Sequence, residues 1–201
     1  MIGCMIVGVM TKYYDVKTLM SNYLISKYTD DMDSDDLVAD TVTSWSRERP
    51  DLDFAVMGTF LRLARLMSRA VPAMDAALVP HGLNLGEFDV LAALRRGGRG
   101  ATLAPTALAA VAMVSPGGMT NRLDRLERAG LISRRPDPSD RRGSLVALTA
   151  EGRRVADAAI EAVVDAQAAF ASPVGDAERA RFNRTLDKLL AAGDPAPRLS
   201  R

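Results

Sequence analysis

The segment from residue 115 to residue 149 constrains the fold of this chain more than any other stretch. It reads SPGGMTNRLDRLERAGLISRRPDPSDRRGSLVALT, and it begins with a serine that can cap a helix and a proline suited to the first helical position. Met119, Leu123 and Leu126 then recur at helical spacing, and Gly130 is placed to end the helix. The segment therefore predicts a capped helix with one apolar face.

Two short runs of aliphatic and β-branched residues follow this helix, at 131–135 and 144–148. The residues that favour a turn between them are Pro136, Asp137, Pro138, Ser139, Asp140 and Gly143. The pattern predicts a β-hairpin whose irregular tip presents Arg141 and Arg142. By itself, such a tip is equally consistent with a solvated turn that carries two charges. After a basic helix, it is typical of a winged helix-turn-helix, whose wing places arginines in the DNA minor groove.

Charge and composition favour a binding protein over an enzyme. The formal net charge of the 201 residues is only +1, so the positive potential that DNA binding needs must be local. Residues 115–142 supply it, with seven arginines against four acidic residues. One cysteine and one histidine exclude a disulfide framework and a histidine–cysteine metal cluster. Gly117 and Gly118 lack the Lys-Ser/Thr of a phosphate-binding loop, and no nucleophile with its base is visible, so we predict no enzyme and no cofactor.

The first 31 residues differ in composition from the rest of the chain. All four tyrosines and three of the four lysines lie there, whereas the first arginine is Arg47. We interpret residues 1–31 as an atypical, dispensable extension, either disordered or the product of a misassigned start codon, with Met32 or another internal methionine as the true start. The apolar run at its beginning is too short to span a bilayer and has no basic residues before it. We therefore predict a cytoplasmic protein with no membrane partner.

Helical periodicity predicts a mainly α fold with a small β-wing. The predicted helices span residues 33–47, 54–78, 85–95, 105–112, 115–129, 150–171 and 177–192. Their expected caps are Asp51, Asn84 (in a capping box with Glu87), Ser115, Thr149 and Asp176. Pro72 predicts a kink or break in the second helix, whose two apolar faces suggest packing on a second chain.

These elements divide the chain into a DNA-binding domain and helices that flank it. We assign an extra N-terminal helix to 32–50, dimerisation helices to 51–80 and 150–192, a winged helix-turn-helix domain to 81–149 and a flexible tail to 193–201.

The hairpin sequence DPSDRRGSLVALTAEG resembles a D-x-R turn followed by V-x-L-T and a glycine, the pattern of the MarR family of bacterial transcriptional regulators. The resemblance covers about residues 52–192. It implies that Asp140 shapes the wing and that Arg142 enters the minor groove. It also implies a homodimer, joined through its terminal helices, that binds a pseudo-palindromic operator in double-stranded DNA as a repressor. Leu103, Ala104 and Pro105 stand where the family has Leu-Ser-Pro, so a cap hydroxyl is lost.

Within this reading, the helix that begins at Ser115 is the recognition helix. The predicted DNA-binding residues are Ser115, Gly117, Gly118, Thr120, Asn121, Arg125, Arg141 and Arg142. Thr120, Asn121 and Arg125 are the candidates for base edges, because asparagine suits adenine and arginine suits guanine. The two glycines let the helix N-terminus approach a phosphate.

Four further residues resemble the effector site of a urate-responsive branch of the family: Trp45, Asp89, Arg122 and Arg134. Arginine can donate a forked hydrogen bond to a purine anion such as urate or xanthine, aspartate can accept from a ring N–H, and tryptophan can stack on the ring. The alternatives are a core anchor for Trp45, a salt bridge between Asp89 and Arg122, and a phosphate contact for Arg134. A phenolic or lipophilic effector in the same interdomain cleft is the alternative ligand class.

Overall fold

The computed structural model describes residues 37–112, 114–138 and 140–192, with the side chains of Arg141 and Arg142 excepted. The predicted extension (1–31) and tail (193–201) lie outside these ranges. The helices are α1 (Leu37–Glu48), α2 (Ala55–Leu78), α3 (Leu85–Arg96), α4 (Pro105–Val111), α5 (Pro116–Arg128), α6 (Ala150–Phe170) and α7 (Asp176–Ala191), and the strands are β1 (Thr102–Leu103), β2 (Ile132–Asp137) and β3 (Asp140–Leu148). This architecture confirms the mainly α class with a small antiparallel sheet. Within these ranges, no helix combines the length and apolar composition that crossing a membrane requires.

The recognition helix α5 forms as its sequence predicts. Ser115 Oγ accepts a hydrogen bond from the Gly118 N–H at 3.2 Å and caps the helix. Gly130 has a φ of +69°, the left-handed conformation that commonly ends helices. The apolar face, formed by Met119, Leu123 and Leu126, is buried in the main core. Burial of this face fixes which side of the helix remains accessible.

The strands of the wing are longer than predicted. They were expected to end at residue 135 and to resume at residue 144, but β2 reaches Asp137 and β3 begins at Asp140. The expected irregularity is present as a register shift between Pro136 and Asp137, two residues of the predicted turn that belong to the end of β2. Strand β1 was not predicted, because two residues carry no periodicity; its Thr102 pairs with Ala147 on the other edge of β3.

The start of α2 corrects one predicted cap. Asp51 does not cap this helix; its carboxylate accepts hydrogen bonds from Arg49 at 2.6 and 2.7 Å, and this guanidinium lowers the pKa of the Asp51 carboxyl below its usual value. Asp53 Oδ1 instead accepts from the Ala55 N–H at 2.9 Å. Either aspartate satisfies the sequence signal, and the position of the first helical turn decides between them.

Pro72 does not break α2, which is continuous from Ala55 to Leu78. Beyond the proline, Met74 and Leu78 are buried in the core, and α2 packs chiefly along α6. The expectation of a break was therefore wrong, whereas the kink that Pro72 was also expected to cause stays a prediction.

The last two helices begin differently. Thr149 Oγ1 accepts from the Gly152 N–H at 2.9 Å and donates to Gly130 O at 2.7 Å, so it caps α6 and also joins it to the end of α5. Helix α7 begins after Gly175, so Asp176, the predicted cap, is its first helical residue and pairs with Arg179 at 2.5 Å. No residue of α7 is buried.

Candidate nucleic-acid interface and effector site

Helices α4 and α5 form the helix-turn-helix unit that the sequence predicts. The chain turns sharply after α4, where the Val114 N–H donates to Ala109 O at 3.1 Å. Ala104 precedes α4 without a side-chain cap, as expected from the missing hydroxyl. The buried faces of both helices pack in the same core as α3, and the opposite side of the N-terminal half of α5 lies at the surface.

That half of α5 carries most of the predicted DNA contacts on its exposed side. Ser115, Gly117, Thr120 and Asn121 are all exposed. A Cβ on Gly117 would meet nothing within 4 Å, so the helix N-terminus is open. Thr120 Oγ1 donates to Pro116 O at 3.0 Å, which leaves its oxygen lone pairs available as acceptors. Gly118 differs from the others, because it is half-buried and its N–H serves the Ser115 cap.

Arg125 is engaged within the protein. Its Nε lies 2.9 Å from Glu87 Oε1, and the side chains are 58% and 6% exposed, respectively. The second Glu87 oxygen, Oε2, accepts from the Asn84 N–H at 3.1 Å and closes the predicted capping box of α3. Glu87 therefore joins the cap of α3 to the recognition helix. Sequence reasoning identified only the cap, because a contact between distant segments leaves no local signal.

At the wing, Arg141 and Arg142 are the second and third residues of strand β3. Asp140 lies over Gly143: a Cβ built on this glycine would come within 3.0 Å of both Asp140 Cβ and Oδ2. The close approach explains why a glycine suits this position. It is also consistent with the expected role of Asp140 in shaping the turn.

Arg122 points into the body of the domain, as its position beside the apolar face predicts. Its Nη1 donates to Gly86 O at 3.4 Å, and a Cβ on Gly86 would lie only 2.5 Å from its Cζ. Gly86 stands three residues before Asp89, which is 8% exposed, so both lie on one face of α3. The first turn of α3 thus brings Arg122 towards Asp89. Gly86 was missed by the sequence analysis, although a glycine inside a helix is itself a signal of close approach.

The other two predicted effector residues have partners of their own. Arg134 forms an ion pair with Asp124, and its Nε lies 3.2 Å from Glu127 Oε2 in an ion pair that lacks hydrogen-bond geometry. Asp124 projects about 200° around α5 from Arg122, on the opposite side of the helix. Trp45 is 47% exposed and stacks on Phe54, with ring centroids 5.9 Å apart. An effector that used all four residues would have to draw Arg134 and Trp45 from these partners.

A second feature, absent from the sequence analysis, is a cleft between α1, α2 and the end of α6. Its volume is about 340 Å³, and its lining residues are Val38, Arg62, Arg65, Leu66, Arg69 and Phe170. The arginines recur at spacings of three and four along α2, a pattern that sequence inspection can find but that amphipathic surface helices commonly show.

Comparison with known proteins identifies the family. The family model described as MarR family matches residues 81–143. The chain is 35% identical over 155 residues to the HTH-type transcriptional regulator PecS of Dickeya dadantii, covering 76% of this chain and 92% of that protein. It is also 36% identical over 118 residues to the HTH-type transcriptional repressor Rv2887 of Mycobacterium tuberculosis, covering 59% of this chain and 83% of that protein.

Solved structures agree with this assignment. A MarR variant from Escherichia coli complexed with operator DNA has a TM-score of 0.59 at 26% identity, with 73% of this chain and 97% of that chain covered. BpsR of Bordetella bronchiseptica, whose DNA binding is regulated by 6-hydroxynicotinic acid, has a TM-score of 0.57 at 25% identity. The match covers 66% of this chain and 97% of that chain. The chain is not an enzyme but a DNA-binding transcriptional regulator of the MarR family, and within that family it belongs to the PecS-like branch.

Proposed function

We propose that this regulator is a cytoplasmic homodimeric repressor that a small purine anion, such as urate or xanthine, releases from its operator. The observation that carries the proposal is the position of the Arg122 side chain. This arginine belongs to the recognition helix, yet it lies on the first turn of α3, one helical turn from the buried carboxylate of Asp89. A ligand held between these two groups acts directly on the helix that contacts DNA.

The exposed half of α5 is suited to a major groove. Thr120 and Asn121 offer side chains to base edges, while the open N-terminus at Gly117 favours a phosphate. We place the wing arginines, Arg141 and Arg142, in the flanking minor groove. Because such contacts release counterions, operator affinity is expected to fall steeply with salt.

Helix α7 supports a homodimer. It has no buried residue, yet Phe182, Leu189 and Leu190 are exposed on one of its faces. Val56 and Phe60 of α2 are exposed as well. Apolar side chains grouped on a helix in this way mark an interface with another chain, and a two-fold dimer presents one recognition helix to each operator half-site.

The double variant Phe182→Glu/Leu189→Glu is therefore expected to be monomeric and to lose roughly 100-fold or more in operator affinity, because each protomer then binds one half-site alone. Analytical ultracentrifugation and DNA titration measure the two effects. Arg184→Glu changes the charge on the opposite face of α7 and serves as the control, which should remain dimeric. A double variant that stays dimeric would place the interface elsewhere.

In the proposed mechanism, the purine anion receives a forked hydrogen bond from Arg122, and Asp89 accepts from a ring N–H. Its charge also attracts Arg134, which leaves Asp124 and Glu127 and thereby loosens the link between β2 and α5. Trp45 closes over the ring. The recognition helix then shifts relative to its dimer mate, and both half-sites weaken together because DNA fixes their spacing.

A thermal-shift panel of urate, xanthine, hypoxanthine and salicylate, followed by titration of the operator complex, tests the effector. Urate or xanthine should raise the Tm by mass action and release DNA, and Asp89→Ala or Arg134→Ala should weaken the response at least about tenfold. Arg65→Gln, in the cleft at α2, is the matched control and should respond like the wild type. Purine binding that leaves operator affinity unchanged would refute the proposal.

The second candidate is a repressor that responds to a phenolic or lipophilic ligand. It is favoured by two similar structures, BpsR with 6-hydroxynicotinic acid as its regulator and CouR of Rhodococcus jostii bound to p-coumaroyl-CoA. In that case an aromatic acid releases the DNA, and neither Asp89→Ala nor Arg134→Ala changes the response.

A further inference from the structure

We propose that Glu87 restrains Arg125, so that DNA must take this guanidinium from an internal carboxylate before Arg125 can bind a base or phosphate. The inference rests on the proposed placement of α5 in the major groove. Arg125 lies on the same helix as Thr120 and Asn121 and is more than half exposed, yet its Nε is bound to Glu87 at 2.9 Å. Glu87 thus occupies the position of an anion at the edge of the DNA-binding surface.

The capping box makes this carboxylate a fixed partner. Glu87 Oε2 is held by the Asn84 N–H, and Asn84 Oδ1 in turn accepts from the Glu87 N–H at 3.0 Å, so Oε1 is presented in one direction. The carboxylate is almost fully buried and has therefore lost most of its water. A buried charge without its partner is costly, so Arg125 leaves Glu87 only when DNA offers an interaction that compensates. Glu87 therefore sets a threshold for DNA binding.

The substitution Glu87→Gln isolates this effect. Glutamine also closes capping boxes, because its amide oxygen can accept from the Asn84 N–H. Helix α3 therefore keeps its cap, while Arg125 loses its negatively charged partner. A duplex that the wild-type protein selects from a randomised library serves as the probe. We expect E87Q to bind this duplex roughly threefold to tenfold more tightly. The gain should vanish in the E87Q/R125A double variant, because a double-mutant cycle isolates the pair.

Glu48→Gln, which removes an exposed carboxylate from the end of α1, is the control for net charge and should bind like the wild type. Unchanged or weaker binding by E87Q, or a gain that persists without Arg125, would overturn the proposal. The Arg125 Nε–H resonance of the unmodified protein gives an independent readout, since its shift must change when the duplex is added. Failure of the wild-type protein to select any duplex would instead refute the DNA-binding role itself.

Discussion

Gly152→Ala is expected to lower the free energy of unfolding by about 3 kcal/mol or more. Gly152 lies in the first turn of α6, against the chain that leads into the wing, and a Cβ there would lie 1.7 Å from the carbonyl oxygen of Leu131 and 2.7 Å from its carbonyl carbon. Backbone atoms cannot rotate away as a flexible side chain can. Alanine therefore forces α6 and the start of β2 apart, and with them the Thr149 bonds that join α6 to α5. Urea denaturation at fixed protomer concentration measures the loss.

Gly117→Ala is the matched control, because Gly117 also lies in the first turn of a helix but has no atom within 4 Å of its Cβ position. It should be neutral or should stabilise the protein by up to about 1 kcal/mol, since alanine restricts the unfolded chain. Equal stability of G152A and the wild type would show that the two backbones are further apart than the structure places them.

Leu123→Ala is expected to cost about 2–5 kcal/mol, the range for truncating a fully buried leucine. Leu123 is 1% exposed at the centre of the apolar face of α5, between Met119 and Leu126. The cavity left behind lies directly under the recognition helix. Near the unfolding midpoint, we therefore expect the apparent operator affinity to fall in proportion to the fraction of the protein that remains folded.

Leu52→Ala provides the comparison, because this leucine is 49% exposed and its truncation should change stability by only a few tenths of a kcal/mol. Thermal and urea unfolding, each followed by helical circular dichroism, give both values. A loss below about 1 kcal/mol for L123A would contradict the assignment of α5 to the main core.

Local signals predicted the helices well. Ser115, Asn84 and Thr149 cap the helices that they were expected to cap, because a cap depends on one side chain and backbone groups within three residues. Asp51 was expected to cap the second helix and does not, because it pairs with Arg49 and Asp53 lies nearer the first helical turn. The uninterrupted helix at Pro72 likewise depends on packing against α6.

The pairings within the candidate site could not be predicted from the sequence. The sequence placed several arginines in one segment and divided them between DNA and ligand. That division stays a prediction. In the structure, Arg122 contacts Gly86, Arg125 contacts Glu87, and Arg134 contacts Asp124 and Glu127. These partners include two residues of α3, far from α5 along the chain, and nothing in the local sequence of either helix records that they meet.

The sequence by itself determined the recognition helix, its cap and its end, the apolar face that buries it, and the wing that follows. Each of these depends on periodicity or on backbone conformation within a few residues, and neighbouring residue types are enough to set such preferences. Only the tertiary structure decided which carboxylate or carbonyl each arginine contacts. The reason is physical: an arginine side chain is long and can reach several partners, so its choice depends on which charged groups the packing of α3, α5 and the wing brings within a few ångströms.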